Sequence, residues 1–336
     1  MKRTISNIFC GAALLLATSA GSSCDDWTEN EKIAVENPVF GEDDPGLYAR
    51  YLASLRAYKN GDHYRTVVWF DNSDKRPVSR GGFFSDVPDS VDVVALTAGG
   101  RLTAEELEQA ETLREKGTKV IGAFDCQAAL ARAEDTQASE ERLSAALAER
   151  FEEIEADGLD GLTLRYESTD PTFATEEELR VQRALDDVVA GALAEWRERH
   201  PGGLLLFEGT PQWLSDLSAV ALCDYLVVRC LDAESVYDFG VRARRMCAVE
   251  GIPSDRFLWL VSAVPPSATD ATGYLADASG ASVRAVGALA EWLLRPEDIG
   301  KAGMGIMNVQ YDYYNSAMIY RYTKEAIETL NPSPKN

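Results

Sequence analysis

The chain has 336 residues, 46% hydrophobic and 26% charged, a globular composition long enough for one large domain or two small ones. Asp and Glu number 55 against 33 Lys and Arg, for a formal net charge of −22. That excess excludes electrostatic attraction to nucleic acid or anionic lipid as the basis of function.

Lys2 and Arg3 open the chain, and Ile8 to Thr18 form an apolar stretch too short to span a bilayer. Small residues from Ser19 to Ser23 follow, so residues 1–23 read as a secretory signal. It ends at Cys24 and resembles a bacterial lipoprotein signal, although Gly21 stands where such signals usually carry Leu; Cys10 lies inside the apolar stretch. The resemblance implies that Cys24 is lipidated. Asp25 and Asp26 resemble the acidic export tag of Bacteroidetes-type surface lipoproteins, which implies a protein on the outer membrane facing outward. The alternative is a cleaved signal and a free periplasmic protein. Residues 24–45 are polar and acidic, carry Pro38 and Pro45, and read as a tether.

From residue 46 the pattern changes. Leu47, Tyr51, Leu52, Leu55 and Tyr58 recur at helical spacing over 46–60. Eight short apolar runs follow: 66–70, 91–97, 119–124, 161–167, 204–209, 225–231, 257–263 and 304–311. Longer amphipathic segments separate most of them: 103–117, 139–158, 174–200, 234–251 and 282–294, with 316–330 closing the chain. Thr103 followed by Glu106 is a capping box, and Gly117 and Gly158 are placed as C-caps. The gap 71–90 shows a loop where a helix would stand. Eight strands alternating with helices over 46–330 predict a single (β/α)8 barrel, with 331–336 as a tail. An open doubly wound sheet is the second choice, weakened because no Gly-rich phosphate loop follows an early strand.

Four cysteines remain after Cys24: Cys126, Cys223, Cys230 and Cys247. None has zinc-like spacing. Cys223 and Cys230, seven apart in one predicted strand, would lie on opposite faces some 23 Å apart and cannot pair. Buried free thiols are expected. His63 and His200, the two histidines, sit in no recognisable motif, so neither a histidine triad nor a metal or other cofactor is expected.

Alternation along 161–167 puts Leu162, Leu164 and Tyr166 on one face, under the helices. Thr163, Arg165 and Glu167 share the other, inside the barrel. Glu167 then stands at the C-terminal end, where such barrels carry their chemistry. It reads as a catalytic acid or as the ion-pair partner of Arg165.

Residues 160–167, DGLTLRYE, resemble the DGxDxDxE signature of glycoside hydrolase family 18, the chitinase and endo-β-N-acetylglucosaminidase family. The stretches 55–70 and 87–99 resemble its Bacteroidetes branch. The resemblance covers most of 46–330. It implies a mechanism in which the final Glu protonates the glycosidic oxygen while the substrate's own acetamide attacks the anomeric carbon. The Asp two places earlier steadies the cationic intermediate, an exception to the two-carboxylate scheme. Asp160, Gly161 and Glu167 match the signature; Thr163 and Arg165 replace its inner acids. Arg165 is permanently cationic, so it repels a cationic intermediate. It also favours an ionised neighbour where a general acid needs its proton. Active members usually present a Gln or Asn and a Tyr on strand six; here Arg229 and Leu231 stand there.

Other polar and aromatic residues fall at predicted strand ends: Trp69, Asp71, Asp125, Glu208, Asp232, and the cluster Gln310, Tyr311, Asp312 and Tyr313. These are candidates for glycan contact, with Trp213 weaker; core packing is the alternative for the aromatics. Glu208 with Glu167 is a further possible acid pair. The resulting expectation is a non-catalytic surface lipoprotein binding N-acetylglucosamine-containing glycans, beside partner glycosidases and an outer-membrane importer. Its rivals are an active hydrolase using Glu167 and a protein-binding scaffold.

Overall fold

The computed structural model describes residues 44–131, 136–265 and 273–332. The signal segment, Cys24, the tether up to residue 43 and the tail from 333 lie outside the described residues. The first helix, α1 (Pro45–Asn60), leads into β1 (Arg65–Phe70) and β2 (Val93–Leu96), followed by α2 (Ala104–Glu115) and β3 (Lys119–Asp125). Two helices, α3 (Cys126–Leu130) and α4 (Thr136–Ala156), precede β4 (Gly161–Tyr166). Then come α5 (Glu176–Arg199), β5 (Leu204–Gly209), β6 (Tyr225–Arg229), α6 (Tyr237–Cys247) and β7 (Phe257–Ser262). A short hairpin, β8 (Tyr274–Ala276) and β9 (Ser282–Arg284), precedes α7 (Ala285–Leu293), β10 (Lys301–Met307) and α8 (Arg321–Leu330).

Strands β1 to β7 and β10 close into a parallel barrel in chain order, β10 pairing with β1. This is the predicted (β/α)8 architecture, with every apolar run forming its strand. The link 71–90 holds only two single 3-10 turns, at 80–82 and 84–86. Three boundaries differ from expectation. Residues 282–284 pair with β8 instead of starting a helix. Strand β10 begins at Lys301 and ends at Met307, so the polar cluster after it falls in a 3-10 turn. The last helix starts only at Arg321, beyond two left-handed residues, Asn308 and Tyr320.

Alternation sorts the strands into two layers. Val67, Trp69, Val93, Ala95, Ile121, Leu206, Val227 and Leu260 fill the barrel interior. Val68, Phe70, Val94, Leu96, Leu162, Leu164 and Phe207 pack outward against the helices, with Leu113, Leu147, Phe151, Val189 and Trp196. Helix ends are hydrogen-bonded as the sequence predicts. Thr103 and Glu106 form the reciprocal box at α2. At Gly117 and Gly158, with φ of 78° and 61°, the chain leaves α2 and α4 through paired bonds: Thr118 N to Leu113 O with Gly117 N to Arg114 O, and Leu159 N to Ile154 O with Gly158 N to Glu155 O. The four described cysteines are free thiols.

Candidate functional site

The C-terminal mouth of the barrel is built from adjacent registers of β3, β4 and β5. Asp125 pairs with Arg165 across β3 and β4, and Arg165 with Glu208 across β4 and β5. Partners in register share a face, so three charged side chains meet at one level. Thr163 lies below them, 1% exposed, with its hydroxyl unpartnered among the described residues. Leu162, Leu164 and Tyr166 face outward into the helical layer.

Arg165 holds the centre. One terminal nitrogen reaches Asp125 Oδ2 at 2.6 Å and the other Glu167 Oε1 at 2.8 Å. Arg229, at the end of β6, brings a second guanidinium. It pairs with Glu208 and stands 3.8 Å through Nε from Glu167 Oε1. Glu208 is only 3% exposed, so its charge depends on that pairing. Burial, with Arg165 nearby, lowers the Arg229 pKa to about 10. Burial also opposes the charge on Arg165, but Glu167 and Asp125 outweigh it and hold the guanidinium more firmly protonated. Two cations and three carboxylates thus form one connected network.

Gln127 fixes Glu167 from the side. Its amide donates to Glu167 O and accepts from Glu167 N, both at 3.4 Å. Asp125 positions Gln127 in turn by capping α3, its Oδ1 accepting from Gln127 N and Ala128 N. Nothing in residue type marked Gln127 in advance, because its role depends on α3 starting directly at the end of β3.

Two basins open on the network and share Arg165 and Arg229. The larger, about 540 Å³, runs past Glu167 to Trp213, Leu231 and α6. The smaller, about 260 Å³, is lined by Trp69, Asp71, Asp125, Thr163, Glu208 and Asn308, among others. Trp69 is buried on its floor against Gly305, where an added Cβ would sit 2.8 Å from the ring. Asp232 lines the larger basin, its side chain 79% exposed and paired with Arg242.

Other candidates do not come together here. Gln310, Tyr311, Asp312 and Tyr313 line neither basin. Asp312 corrects the expectation: it is 1% exposed and accepts from Thr323 N and Oγ1 and from Tyr322 N. It anchors the first turn of α8, a role set by the backbone reversal at Tyr320. Tyr313, half-buried, packs edge-on against Tyr314 and Tyr320. Gln310 has a buried, unpartnered Oε1 among the described residues, and Tyr311 is exposed.

Asp160 and Gly161, the retained start of the signature, lie at the opposite end of β4. Asp160 accepts from Val120 N at 2.8 Å and faces Arg114. A Cβ on Gly161 would stand 2.2 Å from Leu204 O. Both serve strand packing. The histidines serve structure too: His63 bonds Asp92 at 2.8 Å, and His200 stacks on Trp196. Among the described residues no group of His, Cys, Asp and Glu is arranged to hold a metal.

A closed parallel barrel with an acid after β4, at the mouth of a two-basin cleft, is a (β/α)8 barrel with its candidate site at the C-terminal face. The chain belongs to glycoside hydrolase family 18, BT1044-like, whose model matches residues 28–329. Among solved structures it is similar to BT1044 in a selenomethionine Glu-to-Gln form, at 19% identity and TM-score 0.62, over 87% of this chain and 95% of that one. It is also similar to the endo-β-N-acetylglucosaminidase of Cordyceps militaris, at 17% identity and TM-score 0.54, covering 84% and 95%. Human YKL-39, described as a pseudo-chitinase with retained chitooligosaccharide binding properties, matches at 9% identity and TM-score 0.56, covering 80% and 99%. At these identities the likeness is one of fold. No curated protein sequence matches the chain.

Proposed function

We propose that this protein binds N-acetylglucosamine-containing glycans in its cleft without hydrolysing them. The observation that carries this reading is the pairing of Glu167 with Arg165 at 2.8 Å, with Arg229 close behind. Glu167 Oε1 accepts from one cation and faces another, so that oxygen is already engaged. The same cations stand where a positively charged intermediate would need stabilisation, and they repel it. Hydrolysis is disfavoured twice by one arrangement. Binding is not, because guanidinium and carboxylate groups donate to and accept from sugar hydroxyls through charge-assisted bonds.

The family supports the ligand class. The Cordyceps militaris enzyme, with two substitutions, is known in complex with fucosyl-N-acetylglucosamine-Asn, and YKL-39 is a family-fold precedent for binding without turnover. The lipoprotein-like signal and Cys24 support a lipid-anchored protein at the outer membrane, facing outward, that presents glycans to partner glycosidases and an importer.

Purified protein incubated with chito-oligosaccharides and N-glycans should bind them and release no product. Turnover that disappears in Glu167→Gln would overturn the reading in favour of an enzyme. Neither binding nor turnover would leave a protein-binding scaffold.

A further inference from the structure

We infer that the larger basin takes an anionic saccharide, with a carboxylate or sulfate group seated on α6; this rests on the glycan-binding reading. Four of the basin's fourteen lining residues are arginines: Arg165, Arg229, Arg242 and Arg245. That concentration stands out in a chain of net charge −22. Its neutralisation is uneven. Arg165 and Arg229 are matched by Asp125, Glu167 and Glu208. Asp238, also in the lining, accepts from Glu234 N and Ser235 N through Oδ2 and keeps its charge, which acts on Arg242 four residues along the same helix.

What remains on α6 is Arg245, beside an Arg242 held by exposed or shared carboxylates. Arg242 and Arg245 are three residues apart and share a helix face. Arg242 uses only Nη1 in its described bonds, to Arg229 O and to Asp232. Its partner Asp232 is largely exposed, and such pairs contribute little and are easily exchanged. Arg245 has no ion-pair or hydrogen-bond partner among the described residues. Two like charges at this spacing repel unless an anion bridges them, and a guanidinium fork matches carboxylate and sulfate geometry. Trp213, Val241 and Met246 line the same basin and give a sugar ring an apolar wall. Because Arg229 belongs to both basins, one oligosaccharide can reach the central network and α6 together.

The test measures dissociation constants for a neutral chito-oligosaccharide, for an oligosaccharide of equal length carrying a uronic or sialic acid, and for a sulfated one. At least one acidic ligand should bind about tenfold tighter than the neutral one, and which one does so distinguishes carboxylate from sulfate. The advantage should shrink as salt rises from about 0.05 to 0.5 M. In Arg245→Gln, an exposed position, the acidic-to-neutral affinity ratio should fall toward one. Equal affinity for neutral and acidic ligands overturns the anionic subsite and leaves glycan binding standing. An acidic preference unchanged by Arg245→Gln overturns the assignment to α6. Binding of none of the three overturns both readings.

Discussion

At the scale of single residues, the site turns on two arginines. Restoring the signature's acids with Thr163→Asp and Arg165→Asp is the obvious repair of β4. It leaves Arg229 Nε 3.8 Å from Glu167 Oε1, so one cation still stands beside the acid and repels the intermediate. The double variant should therefore release no detectable product from chito-oligosaccharides. Removing Arg229 as well strands Glu208, a buried carboxylate, without its counter-charge. A restored enzyme would thus need Arg229→Gln and Glu208→Gln added together. Product release by the double variant alone, followed by chromatography, would show that Arg229 does not block the chemistry.

Elements explain why parts of the signature persist without catalysis. Gly161 stays because β4 and β5 approach too closely for a side chain, with Leu204 O 2.2 Å from any Cβ. Gly191, inside α5, has nothing within 4 Å of that position. The same substitution should then act in opposite directions. Gly161→Ala should destabilise by about 1–3 kcal/mol or more, since backbone must move. Gly191→Ala should stabilise by up to about 1 kcal/mol, as it removes conformational freedom from the unfolded chain. Urea unfolding of both variants measures this, and matching signs would contradict the packing account. Asp312 makes the same point about the chain's end: in sequence it resembles the strand-end acids, but it caps α8 and leaves the cleft to other residues.

Across the molecule, buried groups that keep their protons set the response to alkali. Burial pushes the Cys223 and Cys230 thiols from 9.0 up to about 12, and Tyr58 from 10.0 to about 12. It raises Cys126, Tyr166 and Tyr320 as well. The folded state therefore holds protons that the unfolded chain releases, and this stability is lost as pH climbs from about 9 toward 12. Lys59 and Lys301, lowered by burial from 10.5 to about 8, act the other way between those values. Arg229, lowered to about 10, joins them. The six thiols and phenols outnumber these three, and a chain already at −22 gains further negative repulsion. The urea midpoint should fall between pH 9 and 11, and fall less steeply in Cys230→Ala. A flat or rising midpoint would contradict this balance.

Strand number, strand order and the outward face of β4 were all legible along the chain, because periods of 2 and 3.6 record which side of each element is buried. So were the caps at Thr103, Gly117 and Gly158, which depend on neighbours a few residues away. The damaged signature and the arginine at its centre could be read there too. The Arg165–Glu167 pair was among the readings of strand alternation, but three-dimensional packing alone determined the other partners. Asp125, Arg165, Glu167, Glu208 and Arg229 come from four separate segments, and their pairing follows from strand register and barrel closure. The same is true of Gln127 beside Glu167, of Asp312 turned to α8, and of Arg242 and Arg245 beside the cleft. Charge and hydrogen bonding act over a few ångströms of space, and only the closed barrel places residues 167 and 229 within that range of one another.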